Sequence, residues 1–289
     1  MRYLRLLIHD FVEIYVIAFL GAVLPAELGA KIIWTGTRLY RFHPNAKAPQ
    51  AAIVECWPDS EINVRQLRWN YLFEASTAWR MILGRKLTVS LVGKWPQAPG
   101  FIAAGGHYGS GITVLWSLRE AGLKPRFLLR PPERNLLWLR PPLWLWTHLR
   151  FRLIKRLCPD GVVTTGGSLK TLESIVEQGQ TTAVILFDTP APPDHSDWKL
   201  QLGERAISLH TGAARMVDRK MHQRDLKIIS FLAETQPRKA VIELHIQKLN
   251  NGDWQKEFVA KTSQAIETDP ALWLMWPFVE PHLESRPND

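Results

Sequence analysis

Cysteine is scarce in this 289-residue chain: Cys56 and Cys158 are the only two, far apart and without metal-ligand spacing. Their scarcity excludes a disulfide-stapled framework and a cysteine-rich zinc site, and it fits a reducing, cytoplasm-facing location. The chain also lacks an internal repeat and a low-complexity linker, so neither a solenoid nor a tethered pair of domains is indicated. A clean membrane-spanning run is missing too. The N-terminus is apolar from Ile14 to Pro25 but is broken upstream by His9, Asp10 and Glu13, whereas a crossing takes ~20 apolar residues. No small-x-small cleavage site followed by a polar start is evident, which argues against a secretory signal. Acids are in deficit, 27 against 36 Lys and Arg. The net charge of +9 suits phospholipid headgroups, an acidic carrier protein or nucleic acid.

What is present narrows that choice. Hydrophobic residues make up 46% of the chain, enough for the core of one large α/β domain and too many for a disordered protein. Thirteen tryptophans, many beside Arg or Lys, favour a lipid interface over nucleic acid. With Arg2 and Arg5 ahead of the apolar run, residues 1–40 read as an amphipathic, partly inserted membrane anchor. An ordinary buried N-terminal helix remains open.

Beyond the anchor, Trp57-Pro58-Asp59-Ser60 reads as a turn and N-cap, opening a helix over Glu61–Leu83. Short β-rich runs follow at Lys86–Val92, Phe101–His107, Arg126–Arg130, Gly161–Thr165, Thr182–Asp188, Leu226–Ala233 and Ala240–Gln247. Helical stretches fall at Gly109–Gly122, Ser168–Gln178 and Ile207–Val217. The expected fold is therefore α/β: a single αβα sandwich over residues 41–289 with a mostly parallel mixed sheet, its last strands added antiparallel through Gln236-Pro237-Arg238. Between Lys124 and Arg156, nine basic residues stand against one acid, Glu133, with Trp138, Trp144 and Trp146 among them. That mixture suggests an interfacial loop and helix, tryptophans in the headgroup layer and arginines on phosphates. A solvated basic face is the plainer alternative.

The stretch richest in chemistry is Phe101-Ile-Ala-Ala-Gly-Gly-His107-Tyr-Gly-Ser-Gly111, a buried strand that ends in a glycine-flanked histidine and opens a helix. Carboxyl ends of parallel strands meet helix N-termini at such places, so backbone N–H groups of Gly109, Ser110 and Gly111 are candidates for stabilising an oxyanion. A structural histidine in a glycine turn is the alternative.

These residues resemble the lysophospholipid acyltransferase superfamily, and within it the lipid A late (lauroyl/myristoyl) acyltransferases, whose signature is His followed after four residues by Asp or Glu. Here position 112 is Ile, so the signature acid is missing. The resemblance runs along nearly the whole chain. It includes Leu24-Pro25, Arg38-Leu39-Tyr40-Arg41, Cys56-Trp57-Pro58-Asp59, Arg130-Pro131, an arginine near position 156, and Asp188 closing a strand. Gly203-Glu204-Arg205-Ala206 with Gly212 and Ala214, and the ending Pro270-Ala-Leu-Trp-Leu-Met-Trp276, complete it.

The resemblance implies an acyltransferase at the cytoplasmic face of a bacterial inner membrane, needing neither metal nor cofactor. The donor is a thioester of acyl carrier protein or coenzyme A, and the acceptor is a hydroxyl on a membrane lipid or glycolipid. His107 is then the general base; for the relocated acid that orients it the first candidate is Asp188, which ends its strand as His107 does, and the second is Glu204. Arg130 and Arg156 are candidates for phosphates of acceptor or phosphopantetheine, and Arg205 lines the acceptor groove. Ile112 keeps a second reading open, that of an altered member that binds or carries an acylated lipid. A Ser110 hydrolase is weaker, because Gly109-Ser110-Gly111 is not a G-x-S-x-G elbow after a strand.

Overall fold

A computed structural model describes residues 2–42, 47–58, 63–132, 135–165, 169–193, 195–221, 226–236 and 241–284. Its strands are β1 (Val89–Val92), β2 (Ile102–Gly105), β3 (Pro125–Leu129), β4 (Val163–Thr164), β5 (Thr182–Leu186), β6 (Lys199–Leu202), β7 (Arg205–Ser208), β8 (Ile228–Thr235) and β9 (Ile242–Lys248). The first helices are α1 (Arg2–Phe11), α2 (Phe19–Val23), α3 (Ala26–Gly36), α4 (Lys47–Cys56), α5 (Val64–Ile82) and α6 (Thr113–Glu120). The later ones are α7 (Leu136–Leu139), α8 (Pro141–Leu157), α9 (Leu169–Gln178), α10 (Gly212–Met221), α11 (Trp254–Thr268) and α12 (Trp276–Val279).

Seven strands form one sheet in the order β1-β9-β8-β2-β5-β3-β4. Only the β8–β9 junction is antiparallel; the other neighbours pair in parallel. The chain is thus α/β with a mostly parallel mixed sheet. Sequence explains the order of burial. Ile102–Gly105 is small, apolar and buried throughout, as a strand needs to be with helices on both of its faces. β8 instead alternates buried and half-buried residues over much of its length, as suits a strand nearer the sheet's margin. Alternate residues of the central strands feed two cores: Ile102, Ala104 and Ile185 join α9, α10 and α11 on one side, and Ala103 and Val184 join α5, α6 and α8 on the other.

Several expectations shift. The long helix starts at Val64, capped by Asn63, whose side chain accepts the Arg65 N–H at 3.1 Å. The expected starts at Glu61, Ser168 and Ala240 and the Pro237-Arg238 link lie outside the described residues. Ile207 belongs to a strand rather than to a helix: β6 and β7 form a separate antiparallel hairpin, and the helix begins only at Gly212. α11 had no counterpart among the expected elements. Nor do the tryptophans gather at the surface. Trp69, Trp95, Trp146, Trp198, Trp254, Trp273 and Trp276 are buried, and Trp138 is the large exception at 80% exposed.

The N-terminus also differs. The helical stretch Tyr3–Val23, continuous through a π-helical segment Val12–Ala18, is long and apolar enough to cross a membrane. The expected break at Asp10 and Glu13 does not occur, because both carboxylates are buried against the domain. Arg140 donates through Nε to Asp10 at 2.8 Å, and Arg68 through Nε to Glu13 at 2.9 Å.

Candidate active site

Strand register builds the site. Gly105 of β2 lies opposite Leu186 of β5, so two residues beyond each strand His107 and Asp188 meet at the carboxyl edge of the sheet. The ring Nδ1 of His107 is 2.8 Å from Asp188 Oδ1, and the His107 backbone N–H donates to Asp188 Oδ2 at 2.6 Å. Trp273 adds a third contact: its Nε1–H donates to the same Oδ2 at 2.8 Å. Asp188 is fully buried and the imidazole is about one-third exposed, at 35%. A buried carboxylate is tolerated where every oxygen is hydrogen-bonded, and here both are.

The glycines before the histidine make this approach possible. A Cβ on Gly106 would sit 2.8 Å from Asp188 Oδ2, and one on Gly105 only 2.2 Å from the Phe231 ring. Gly109 has φ +58°, and a Cβ there would fall 1.6 Å from the carbonyl oxygen of Ala233. Tyr108 bridges Trp273 in an antiparallel step. Gly109 N–H donates to Leu272 O at 2.7 Å and Leu274 N–H to His107 O at 2.8 Å. α5 braces that C-terminal strip, since Asn70 donates to Ala271 O at 2.7 Å and Tyr71 to Leu274 O at 2.6 Å.

One turn along α5, buried Glu74 accepts from Arg150 of α8 at 2.5 Å. The Arg150 Nε is enclosed and has no hydrogen-bond partner among the described residues. Burial alone would lower the His107 pKa, but the charge and hydrogen bond of Asp188 more than offset it, and the value ends above the usual histidine range. Arg150 pushes that pKa down and Glu74 pushes it up. For Asp188, burial acts upward. The His107 charge and hydrogen bond, with the indole and backbone N–H donors, outweigh it and hold the carboxyl below its ordinary value.

Of the residues expected from sequence, His107 and Asp188 come together. Glu204 is exposed in the β6–β7 turn, its backbone N–H on Cys56 O at 2.9 Å. Arg205 pairs with Glu55 at 3.0 Å. Arg130 follows β3 at the same sheet edge as His107, and Arg156 is exposed in the last turn of α8. The three-amide oxyanion cradle is reduced: Gly109 N–H is taken by Leu272, and Gly111 N–H donates to Gly109 O at 3.2 Å. Ser110 is buried, its hydroxyl without a partner among the described residues. Ile112, where the signature acid would stand, is 6% exposed and packs in the core on the α5–α6–α8 side. Sequence reasoning missed Trp273 as a donor, and it missed the Glu74–Arg150 pair. The readable signals were the Trp within Pro270–Trp276, and an arginine inside the basic run six residues before the one chosen.

A scan against models of known protein families finds no match, and no curated protein matches the chain.

Proposed function

We propose that this protein is an acyltransferase of the lipid A late acyltransferase type, moving a fatty acyl group from a thioester of acyl carrier protein or coenzyme A to a hydroxyl of a membrane lipid or glycolipid. The observation that carries the reading is the partly exposed imidazole of His107 held by buried Asp188. With Nδ1–H directed at Asp188, Nε2 is the nitrogen left to meet substrate. It takes the acceptor's proton as the alcohol oxygen bonds to the thioester carbonyl carbon. Collapse of the tetrahedral intermediate breaks the C–S bond, and the leaving thiolate takes the proton back from the imidazolium. Asp188 holds the tautomer and stabilises the transient positive charge. Arg150, whose Nε has no partner among the described residues, is the group suited to the negative charge that builds on the carbonyl oxygen. Arg130 remains suited to a phosphate at the same edge.

Helix cover on both faces of the sheet supports reading residues 41–289 as one αβα sandwich with residues 1–40 as anchor. The apolar N-terminal helix and net charge of +9 support work at the cytoplasmic face of a bacterial inner membrane. The alternative of a lipid carrier without turnover rests on Ile112; the Asp188 carboxylate beside the ring supports the catalytic reading over it. Purified protein with acyl-carrier thioester and membrane lipid extract is expected to release free thiol and form an acylated lipid. His107→Ala is expected to abolish both while staying folded. Turnover undiminished in that variant would sink the mechanism.

A further inference from the structure

The long N-terminal helix passes the length and composition test for a membrane crossing, yet its middle is tied sideways to the domain. Asp10 and Glu13 are both buried, held by Arg140 at the start of α8 and by Arg68 of α5. More contacts continue the seam: Tyr15 Oη donates to Pro142 O at 2.9 Å, and Trp79 Nε1–H to Ile14 O at 3.0 Å. A helix crossing the bilayer would need to leave these partners or carry two carboxylates and two guanidinium groups into hydrocarbon, where ionised groups are costly. A helix along the surface keeps every pair.

The outward face fits a surface position. Tyr3, Leu4, Ile8 and Phe11 are each half-exposed or more, on one flank of a helix only a third buried inside the protein. Trp138 and Leu139 of α7 extend that flank, joined to it where Tyr3 Oη donates to Trp138 O at 3.0 Å. Arg5 of the same helix is an exposed cation, and α8, which packs against α1, carries two more in Arg152 and Lys155. An apolar strip with an exposed tryptophan and a basic margin is the composition of an interfacial helix, its apolar side among acyl chains and its cations on anionic headgroups.

We propose that the N-terminal helix lies in the plane of the membrane, and that α1 with α7 forms one docking face for an anionic lipid bilayer. The proposal deepens the membrane location given above, but it needs no turnover, so the two stand or fall separately.

The test uses the full chain with vesicles of phosphatidylglycerol and phosphatidylcholine. The native cysteines are both free and buried, so single cysteines at Leu4, Phe11 and Leu20, three exposed positions, can carry a spin label for depth measurement. A helix lying flat gives the same shallow depth at all three. A spanning helix gives its deepest reading at Phe11, or opposite leaflets for Leu4 and Leu20, and either result overturns the proposal. Leu4→Glu with Trp138→Glu should reduce vesicle partitioning by ~10-fold or more, with unchanged circular dichroism. Partitioning unaffected by that pair, or wild-type protein that ignores the vesicles and self-associates through this face, also overturns it. Flat binding without acyl transfer keeps this proposal and sinks the enzymatic one.

Discussion

Asp188 grips His107 twice, through the ring Nδ1 at 2.8 Å and through the backbone N–H at 2.6 Å. One carboxylate thus fixes both the imidazole and the turn that presents it. The acid comes from the neighbouring strand instead of from four residues downstream.

Replacing that carboxylate gives a signed pH prediction. The proposed transfer uses the neutral ring as base, so the acid limb of kcat/KM should lie above pH 6.5, the ordinary histidine value. Asp188→Asn should move the limb down and cost ~10²- to 10⁴-fold in kcat. Stability runs the other way. The pairing supports the fold fully below pH 6.5 and is lost as pH rises through the raised His107 value; the Asp188 share is present above pH 3.8 and is lost as pH falls through its depressed value. Rate profiles and denaturant titrations across pH check both signs.

Trp273→Phe removes the indole N–H but leaves an aromatic ring against Trp276, now 4.9 Å away edge-on. A buried acceptor that loses one donor costs about 1–3 kcal/mol. Unfolding free energy should fall by that amount, with kcat reduced and the protein still soluble.

The pairing of strands with function was readable because β2 and β5 are short apolar runs, each followed at its carboxyl end by a chemically active side chain, His107 or Asp188. Asp188 stood ahead of Glu204 for the same reason, but that its carboxylate would reach the ring was not readable. That depends on the register between Gly105 and Leu186, set by packing between segments eighty residues apart. The hairpin at β6–β7 was misjudged because Ile207 fits a helical period as well as a strand. The break expected at Asp10 and Glu13 failed because their partners, Arg140 and Arg68, are supplied from distant helices.

Ile112→Glu would restore the signature acid of the resembling family, but in an apolar core. The expected result is a loss of ~2–4 kcal/mol in stability and no rise in transfer. A large gain in turnover would show that Asp188 does not do the orienting.

Arg150→Gln alone strands buried Glu74 and should destabilise by ~3–5 kcal/mol. Paired with Glu74→Gln it should recover most of that stability while kcat/KM for the thioester stays ~10- to 100-fold low. If the double variant regained full kcat/KM, the pair would be structural only.

Gly109→Ala should fail to accumulate as folded protein, since the added methyl meets the Ala233 carbonyl. Gly122→Ala is the control: it has φ +76° but nothing within 4 Å of the added atom, so only the left-handed cost of about 1–2 kcal/mol applies.

The Tyr108–Trp273 bridge joins the histidine turn to a strip that the ribosome makes long after both ends of the ion pair. Until Trp273 has emerged, Asp188 is short of a donor, and the His107 turn is without the main-chain rail that Leu272 and Leu274 supply. Competence in this fold therefore waits on a segment made well after both partners of the ion pair.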